Sequence, residues 1–338
     1  MTSARLSPED LEALIGRALR AAGTAPANAA SVARALTQAE IDGQKGHGLS
    51  RVPSYAAQAK AGKVDGFATP AAYQPRLGTL MIDVKHGFVF PAVDLAVQLL
   101  PGLALQTGIA AAGFVRSHHF GVVGRHVERL AEVGLVALAF ANTPKAIAPW
   151  GGRHQLYGTN PIGFAAPRQG QPPLVIDLAL SQVARGKILT AAQRGEAVPT
   201  TWATDADGRP TADAKAALRG ALQPIGGAKG AALALMVEIL AVGLTGATLS
   251  AAASSFFDAD GPPPAVGQLL IAIDPGGLGG AEALAQRVAA LAEAVASDGD
   301  ARLPGSRRIA LRQQAAQEGV LVDEKLWREV SAMAQGAD

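Results

Sequence analysis

The 338-residue sequence is 49% hydrophobic, 17% charged and 4% aromatic, a composition typical of a soluble globular enzyme that excludes a disordered chain. It has no cysteine, so disulfides, thiol nucleophiles and thiolate metal sites are excluded. Lys and Arg total 30 against 28 Asp and Glu, a net charge of +2, and no basic run exceeds two residues, so nucleic-acid binding is not indicated.

The first residues and the apolar runs of the sequence indicate neither an export signal nor a membrane span. The N-terminal residues lack the apolar segment of a signal peptide and lead at once into an amphipathic helix. The longest apolar run, 230–244, is interrupted by Glu238 and is too short to span a bilayer. We therefore expect a cytoplasmic protein without a membrane partner.

The opening of the chain predicts helices alone. Ser7 is a helix cap followed by Pro8 and two acids, and apolar residues then recur at helical spacing until Gly23. Further helices are predicted over 26–41 and 53–61. This all-helical opening argues against a chain that begins with a dinucleotide-binding βαβ unit.

Strands and helices alternate from residue 77, which predicts an α/β fold. Strands are predicted over 78–84, 109–116, 135–140, 162–165, 174–178 and 268–274. Helices are predicted over 91–107, 122–133, 225–246, 280–296 and 324–334. A surface excursion is expected at 192–220 and a loop at 302–308.

A glycine-rich bend between the second and third helices carries His47, and Arg51 and Tyr55 follow at intervals of four. If the chain is helical after Gly48, Arg51 and Tyr55 share one helix face, with His47 at its entrance. A proton donor beside a carboxylate-binding cation is what reduction of a carbonyl or imine next to a carboxylate requires. The alternative is a helix start with a solvated histidine and arginine.

Three loops are candidates for phosphate binding. In 226–230, small residues expose backbone N–H groups at a helix N-terminus and Lys229 adds a charge, with close helix packing as the alternative. Loop 302–308 offers Arg307 and Arg308 for bidentate contact with a phosphate, or a solvated arginine pair. Loop 276–280 does not fit Gly-x-Gly-x-x-Gly and is a weak candidate.

Two adjacent histidines, His118 and His119, follow a predicted buried strand, a common position for site residues. No His-x-x-x-His or Glu-x-x-His run accompanies them, so we predict no metal site. The sequence also lacks a Gly-x-Ser-x-Gly elbow, which disfavours a serine hydrolase.

Taken in order, these motifs resemble the type-2 malate/L-lactate dehydrogenase family, which includes ureidoglycolate and sulfolactate dehydrogenases and Δ1-piperideine-2-carboxylate/Δ1-pyrroline-2-carboxylate reductases. The resemblance covers nearly the whole chain. It rests on Gly46-His47-Gly48-x-x-Arg51 with Tyr55, Ser117-x-His119-Phe120-Gly121, Ala148-Pro149-x-Gly151-Gly152, Gly158-Thr159-Asn160-Pro161, Asp177-Leu178-Ala179, Gly186-Lys187, Gly227-x-Lys229-Gly230 and Leu303-Pro304-Gly305.

The resemblance implies a mixed α/β fold with a largely antiparallel, non-Rossmann sheet that binds a nicotinamide cofactor. It implies acid/base chemistry at His47, or at His119 as in some members, and a substrate carboxylate held by Arg51. Thr159, Arg185 and Gly186 would border the substrate. The cofactor would contact His119, Phe120, Gly121, Val122, Val123, Asp177, Leu178, Ala179, Ala228, Lys229, Arg302, Leu303, Pro304, Gly305, Ser306, Arg307 and Arg308.

The sequence departs from the imine reductases of the family at two positions. Those enzymes have a serine before the motif histidine and an aspartate later, whereas this chain has Gly46 and Lys187. The Ser–His–Asp relay of those members therefore cannot operate here. Lys187 is common in the hydroxy-acid members; if it lies close to His47, it would lower the pKa of that histidine or donate the proton itself.

The sequence thus predicts an NAD(P)H-dependent reductase of small cyclic 2-imino acids, with NADPH as the expected cofactor, NADH possible, and a homodimer as the expected assembly. The first alternative is a 2-hydroxy acid dehydrogenase of the malate/lactate type. Others are a cofactor-binding homologue without activity and a non-redox lyase. We expect a substrate and dimerisation domain at 1–115, a cofactor domain at 116–296 and a C-terminal segment, 297–338, that returns to the first domain.

Overall fold

A computed structural model describes residues 3–336 of the chain. The helices are α1 Pro8–Ala21, α2 Pro26–Ile41, α3 Val52–Lys60, α4 Val89–Thr107, α5 Val123–Ala131, α6 Arg185–Arg194, α7 Ala214–Arg219, α8 Ala228–Glu238, α9 Ala281–Ala296, α10 Ser306–Glu318 and α11 Glu324–Ala334. The strands are β1 Ser3–Leu6, β2 Ala71–Arg76, β3 Thr79–Asp83, β4 Ile109–Ser117, β5 Val136–Ala141, β6 Ile162–Arg168, β7 Gln171–Leu178, β8 Val266–Ile273 and β9 Val320–Asp323.

The larger sheet has seven strands in the order β2-β3-β4-β8-β5-β6-β7. Strands β3 and β4 run parallel, and every other neighbouring pair in this sheet is antiparallel. The prediction of a mixed α/β fold with a largely antiparallel sheet is therefore confirmed. A parallel doubly wound sheet would instead have placed a crossover helix between successive strands.

Alternation of side chains along the central strands divides the interior into two cores. In β8, Leu270 and Ala272 join the core beneath α1, α2, α4 and α5, whereas Leu269 packs into the opposite core beside α6, α7 and α8. Successive strand residues point to opposite faces, so a strand buried on both sides reads as a continuous apolar run. This accounts for the unbroken hydrophobic run 269–273 within β8.

The last part of the chain packs against the first. Strand β9 pairs antiparallel with β1, and Arg5 forms an ion pair of 3.1 Å with Glu318 at the end of α10. The sequence predicted neither short strand, because each is only four residues long and depends on the other for its hydrogen bonds. The domain boundaries at 115 and 296 stay predictions.

Helix α4 is long and apolar enough, by length and composition, to cross a membrane. It lies instead across the sheet, where Val89, Val93, Ala96 and Leu100 are buried in the main core. Among residues 3–336 it is the one helix with this property. Core helices of globular proteins meet the same criterion when most of their apolar face is packed inside.

Most predicted elements appear within a few residues of their expected positions, but the loop predicted through Arg308 does not. Helix α10 begins at Ser306, directly after Gly305, whose φ of +82° suits a residue without a side chain. The excursion at 192–220 contains the short helix α7, capped by the Asp213 carboxylate, which accepts the N–H of Lys215 at 2.8 Å.

Candidate active site

The segment that carries His47 forms two short 3₁₀ turns, Lys45–His47 and Leu49–Arg51, before α3 begins. The buried carboxylate of Glu40 accepts the N–H of Leu49 at 3.0 Å and pairs with the Lys45 ammonium at 3.2 Å. A side chain at Gly48 would clash with this carboxylate, so the position requires glycine. Glu40, which the sequence did not single out, thus braces the turn that presents His47.

The rings of His47 and His119 stack with their centroids 5.1 Å apart and their planes at 9°. His119 follows strand β4 and is 6% exposed, whereas His47 is half-buried above it. Nδ1 of His47 is buried without a hydrogen-bond partner in residues 3–336. The two residues that the sequence offered as alternative acid/base groups therefore form one pair.

Tyr55 supports this pair from below. Its hydroxyl lies 2.6 Å from Nδ1 of His119, and its side chain is completely buried. The Tyr55 ring packs against Phe88 and, edge-on, against His118. Because Tyr55 belongs to α3 and His119 follows β4, this contact joins the helical opening of the chain to the sheet.

Arg51 lies beside the histidine pair with part of its guanidinium unsatisfied. Its Nε donates to the carbonyl of Gly46 at 2.7 Å, and the guanidinium carbon lies 4.6 Å from the centroid of the Phe257 ring. Its Nη1 is buried and has no hydrogen-bond partner among the described residues. Buried polar groups in native proteins are nearly always paired, so this atom marks a place for an anion.

Burial and the charge of Arg51 keep both histidines neutral. Burial first, then Arg51, lowers the pKa of His47 from 6.5 to about 4. The same two causes hold the pKa of His119 well below its ordinary value, with smaller effects from neighbouring histidines. Burial raises the pKa of Tyr55 well above its ordinary value, although Arg51 opposes the shift. At neutral pH the site therefore holds two neutral imidazoles and a phenol that keeps its proton.

The loop that carries Phe256 and Phe257 forms one wall of this site. Its anchor is Lys63, whose fully buried ammonium bonds both the carbonyl and the carboxylate of Asp258 at 3.1 Å and the carbonyl of Asp260 at 2.6 Å. No local pattern in the sequence marks this role, because the partners of Lys63 lie nearly two hundred residues further along the chain. The anchor fixes Phe257 over the Arg51 guanidinium.

The structure does not bring Lys187 to the histidine pair. Lys187 is exposed in the first turn of α6, next to exposed Gly186, and it is not among the charges that lower the pKa of His47. Arg185 is half-buried and donates to the carbonyl of Leu218 at 3.0 Å, and burial lowers its pKa. The substrate and proton-donor roles of these α6 residues stay predictions.

Thr159 is placed by a hydrogen-bond network behind it. Its N–H donates to the Thr143 hydroxyl at 2.9 Å, and the next residue, Asn160, donates to the Glu238 carboxylate at 2.9 Å. Glu238 is buried, has no cationic partner within residues 3–336, and also accepts the N–H and hydroxyl of Ser250, both at 2.7 Å. The sequence missed this network, although it explains the polar residues of the Gly158–Pro161 motif.

The predicted cofactor residues 120–123 connect β4 to α5. Phe120, Val122 and Val123 are buried, and Val122 is the residue at which α5 is capped. Gly121 has a φ of +68°, and a Cβ there would come within 2.8 Å of the Phe90 ring. The chain therefore passes close to the core before α5 begins.

Asp177, at the end of β7, lies against the N-terminus of α5 and the start of α10. Its carboxylate accepts the N–H of Gly124 at 2.8 Å, and a Cβ on Gly124 would lie 3.2 Å from Nη1 of Arg308. Burial raises the pKa of Asp177, while the Gly124 bond and the Arg308 charge oppose the shift. Arg308 is 8% exposed and its Nε has no partner in residues 3–336, whereas Arg307 is exposed.

The remaining predicted cofactor residues lie at the surface around these helix ends. Ala228 and Lys229 are exposed in the first turn of α8, after Gly227 with a φ of +62°. The others are exposed or half-buried: Leu178, Ala179, Arg302, Leu303, Pro304, Gly305 and Ser306. Helix N-termini with small residues and the orphaned Nε of Arg308 fit the phosphates of a dinucleotide, so the residues present are compatible with a nicotinamide cofactor.

The comparisons with known proteins agree with this site. Residues 6–331 match the malate/L-lactate dehydrogenase family model. The chain is 47% identical over 332 residues to (2R)-3-sulfolactate dehydrogenase (NADP(+)) of Chromohalobacter salexigens, covering 98% of both chains. It is 41% identical over 329 residues to the Δ1-pyrroline-2-carboxylate/Δ1-piperideine-2-carboxylate reductase of Pseudomonas putida, covering 96% of this chain and 95% of that protein.

Among solved structures, the Δ1-piperideine-2-carboxylate reductase from Pseudomonas syringae pathovar tomato matches with a TM-score of 0.92 at 38% identity, covering 98% of this chain and 99% of that one. The family resemblance drawn from the motifs is thereby confirmed, and so is the non-Rossmann fold that it implied. Relatives of such similarity over the whole length are named dehydrogenases and reductases. The chain therefore belongs to the malate/L-lactate dehydrogenase family of nicotinamide-dependent oxidoreductases.

Proposed function

We propose that this enzyme transfers a hydride between a nicotinamide cofactor and the carbon next to the carboxylate of a small acid. The observation that carries the proposal is the Arg51 guanidinium, whose buried Nη1 lacks a partner beside the stacked pair of His47 and His119. A carboxylate bound there would satisfy Nη1 with a charge-assisted hydrogen bond. The carbon that bears this carboxylate would then lie next to the imidazoles of His47 and His119, which can exchange protons with the substrate.

When bound, the cofactor supplies or accepts the hydride, and the protein supplies position and charge. The residues proposed to hold it are those of 120–123, Asp177 with Arg308, the first turn of α8 and the segment 302–307. NADPH is the proposed form, because Arg302 and Arg307 are exposed where a phosphate would be held. One relative carries NADP(+) in its name, which supports the same choice.

The first substrate class we propose is a cyclic 2-imino acid of the Δ1-pyrroline-2-carboxylate type. Several relatives at about 40% identity are named as reductases of these compounds. The neutral histidines are compatible with this reaction, because an imine that is already protonated needs only a hydride at carbon. The Arg51 site would bind its carboxylate.

A 2-hydroxy acid is the second candidate, favoured by Gly46 and by the relative named as a sulfolactate dehydrogenase. Oxidation of a hydroxyl requires a base, and an imidazole whose pKa lies below neutrality is deprotonated at pH 7. In that direction His47 or His119 accepts the hydroxyl proton while the hydride leaves the same carbon. The reverse reaction returns the proton to the alkoxide.

A substrate panel separates the two classes. NADPH and NADH oxidation is followed at 340 nm with Δ1-pyrroline-2-carboxylate, Δ1-piperideine-2-carboxylate, pyruvate, oxaloacetate and sulfopyruvate, and NADP⁺ reduction with the matching hydroxy acids. Preference for the cyclic imines by kcat/KM supports the first class, and preference for the oxo and hydroxy acids supports the second. Failure of every compound in both directions would contradict the proposed reaction.

Arg51→Ala tests the carboxylate site directly. Removing one partner of a buried charge pair costs about 2–5 kcal/mol, so KM for the substrate should rise about 30-fold or more. Cofactor affinity, measured by fluorescence titration, should change less than about twofold because Arg51 is not among the proposed cofactor residues. Arg34→Ala, at an exposed ion pair with Asp94, is the control. An unchanged substrate KM would remove Arg51 from this role.

We also propose a homodimer. Exposed leucine and isoleucine side chains cluster around the end of α8, with Leu235 45%, Ile239 54% and Leu244 64% exposed. A second copy of the chain would remove this apolar surface from water. Light scattering coupled to size-exclusion chromatography should give twice the chain mass, and Ile239→Asp should shift it to one chain mass. The cytoplasmic location stays a prediction.

A further inference from the structure

Tyr55 has one hydrogen-bond contact that the reaction described above does not use. Its hydroxyl lies 2.6 Å from Nδ1 of His119, and the side chain is completely buried. The rings of Phe88 and His118, with centroids 5.3 Å from that of Tyr55, fix its position. Among the described residues, the Tyr55 hydroxyl has no second partner.

The position of the proton in this contact follows from what each atom can do. A neutral imidazole carries its proton on one nitrogen and accepts at the other, while a phenol has one proton to donate. If Nδ1 donated to Tyr55, the phenol proton would be buried without an acceptor, which is unfavourable. If Tyr55 donates, its proton is satisfied and Nδ1 is an acceptor. The second arrangement therefore prevails.

We propose that Tyr55 is a positioning residue, which donates its hydroxyl proton to Nδ1 of His119 and thereby keeps the proton of that imidazole on Nε2. Within residues 3–336, Nε2 of His119 makes no hydrogen bond, and in contrast to Nδ1 of His47 it is not sealed from solvent. Nε2 is thus the nitrogen left free to meet the oxygen or nitrogen of a substrate. The inference rests on the proposed function for that last step alone.

The two stacked histidines differ in their hydrogen bonding and therefore in their proposed roles. His119 has a partner that fixes its tautomer, whereas Nδ1 of His47 is buried with none. Burial raises the pKa of Tyr55 well above its ordinary value, so the phenol remains a donor across the working pH range. His119 is therefore the imidazole that donates a hydrogen bond from Nε2 to the reacting heteroatom, whereas His47, whose tautomer no contact in residues 3–336 fixes, is the imidazole that can accept a proton.

The tautomer is measured on the free protein, without substrate. The chain has six histidines, so selective ¹⁵N-histidine labelling gives a spectrum that His119→Ala assigns by difference. We expect the unprotonated resonance at Nδ1 and the protonated one at Nε2, and a shift of the Nδ1 resonance in Tyr55→Phe. A protonated Nδ1 in the unmodified protein, or no shift in Tyr55→Phe, would overturn the proposal.

Kinetics separate positioning from packing. Tyr55→Phe keeps the ring and removes only the hydroxyl, so we expect kcat to fall about tenfold or more, within the range of acid–base contributions, with cofactor KM unchanged. In the His119→Ala background the same change should have no further effect on kcat. A loss of equal size in both backgrounds would mean that Tyr55 acts through packing, which overturns the proposal.

The matched control is Tyr157→Phe. Tyr157 is 8% exposed, and its hydroxyl makes no hydrogen bond in the described part of the chain, so kcat should be unchanged. The two proposals fail in different ways. If no substrate of the panel reacts but the tautomer is as expected, the proposed function fails and the Tyr55–His119 contact stands. If turnover occurs and the tautomer is the other one, this inference alone fails.

Discussion

Arg312 holds two buried carboxylates together, and Arg312→Met is expected to be strongly destabilising. The arginine lies in α10 and makes four hydrogen bonds of 2.6–2.8 Å, two to Asp42 after α2 and two to Glu128 in α5. The side chains of Asp42 and Glu128 are 0% and 3% exposed. This network ties the start of the His47 segment to the helices that flank Asp177.

The loss of unfolding free energy in Arg312→Met depends on the contacts that Asp42 and Glu128 retain. Among the described residues, the Asp42 carboxylate then keeps the side-chain amide of Gln38 at 2.8 Å, and Glu128 keeps Arg125 at 3.0 Å. Breaking a buried pair by removing one partner costs about 3–5 kcal/mol, because the remaining charge stays buried. The free energy of unfolding of a folded domain is about 5–15 kcal/mol, so the urea unfolding midpoint should fall substantially. Arg34→Met, at a half-exposed pair, should cost about 0–1 kcal/mol.

Urea denaturation at pH 7, followed by circular dichroism, measures both variants. A triple variant, Arg312→Met with Asp42→Asn and Glu128→Gln, should recover part of the loss because no buried charge remains. The reasoning is refuted if Arg312→Met and Arg34→Met lower the midpoint equally, or if the triple variant is less stable than Arg312→Met alone.

Three further predictions concern the site and its surroundings. Gly46→Ser should leave the thermal unfolding midpoint unchanged, because a Cβ there meets nothing within 4 Å, and it should raise kcat/KM for cyclic imines relative to oxo acids. Gly48→Ala should lower the unfolding midpoint, because its Cβ would clash with a buried carboxylate. Arg307→Ala should lower the preference for NADPH over NADH, measured as a KM ratio, whereas buried Arg308→Ala should weaken both cofactors alike. Burial, ahead of nearby cations, lowers the pKa of His118 from 6.5 to about 3. The stability that neutral His118 contributes is therefore complete above pH 6.5 and is lost as the pH drops towards 3. In His118→Gln, the urea unfolding midpoint should depend less on pH between pH 7 and about pH 4.

Local sequence predicted most of the elements and named the residues of the candidate site. Ser7 caps α1 by accepting the N–H of Asp10 at 3.0 Å, as its position before a proline and two acids predicted. The helical spacing of apolar residues and the apolar run 269–273 of β8 can likewise be recognised in the sequence. The motif around His47 also named Arg51 and Tyr55, because their spacing is a property of a few consecutive residues.

Only the tertiary structure decided which of these residues meet. Tyr55 and His119 are 64 positions apart, and Lys63 lies 195 positions from its partner Asp258, so neither contact has a local signature. The spacing that placed Arg51 and Tyr55 together gave no reason to pair the phenol with an imidazole at the end of a strand. Lys187, which the sequence placed as a possible partner of His47, is exposed on α6.

The same division explains two of the three strands that the sequence did not predict, β1 and β9; the third is β2. The four residues of β1 and β9 have too little periodicity to be recognised, and each becomes a strand only because the other end of the chain arrives beside it. Residues near in sequence share a pattern set by backbone geometry, whereas residues far apart meet through burial and hydrogen bonding of the whole chain. The motifs therefore name the residues of the candidate site, whereas the contact between Tyr55 and Nδ1 of His119 is a property of the fold.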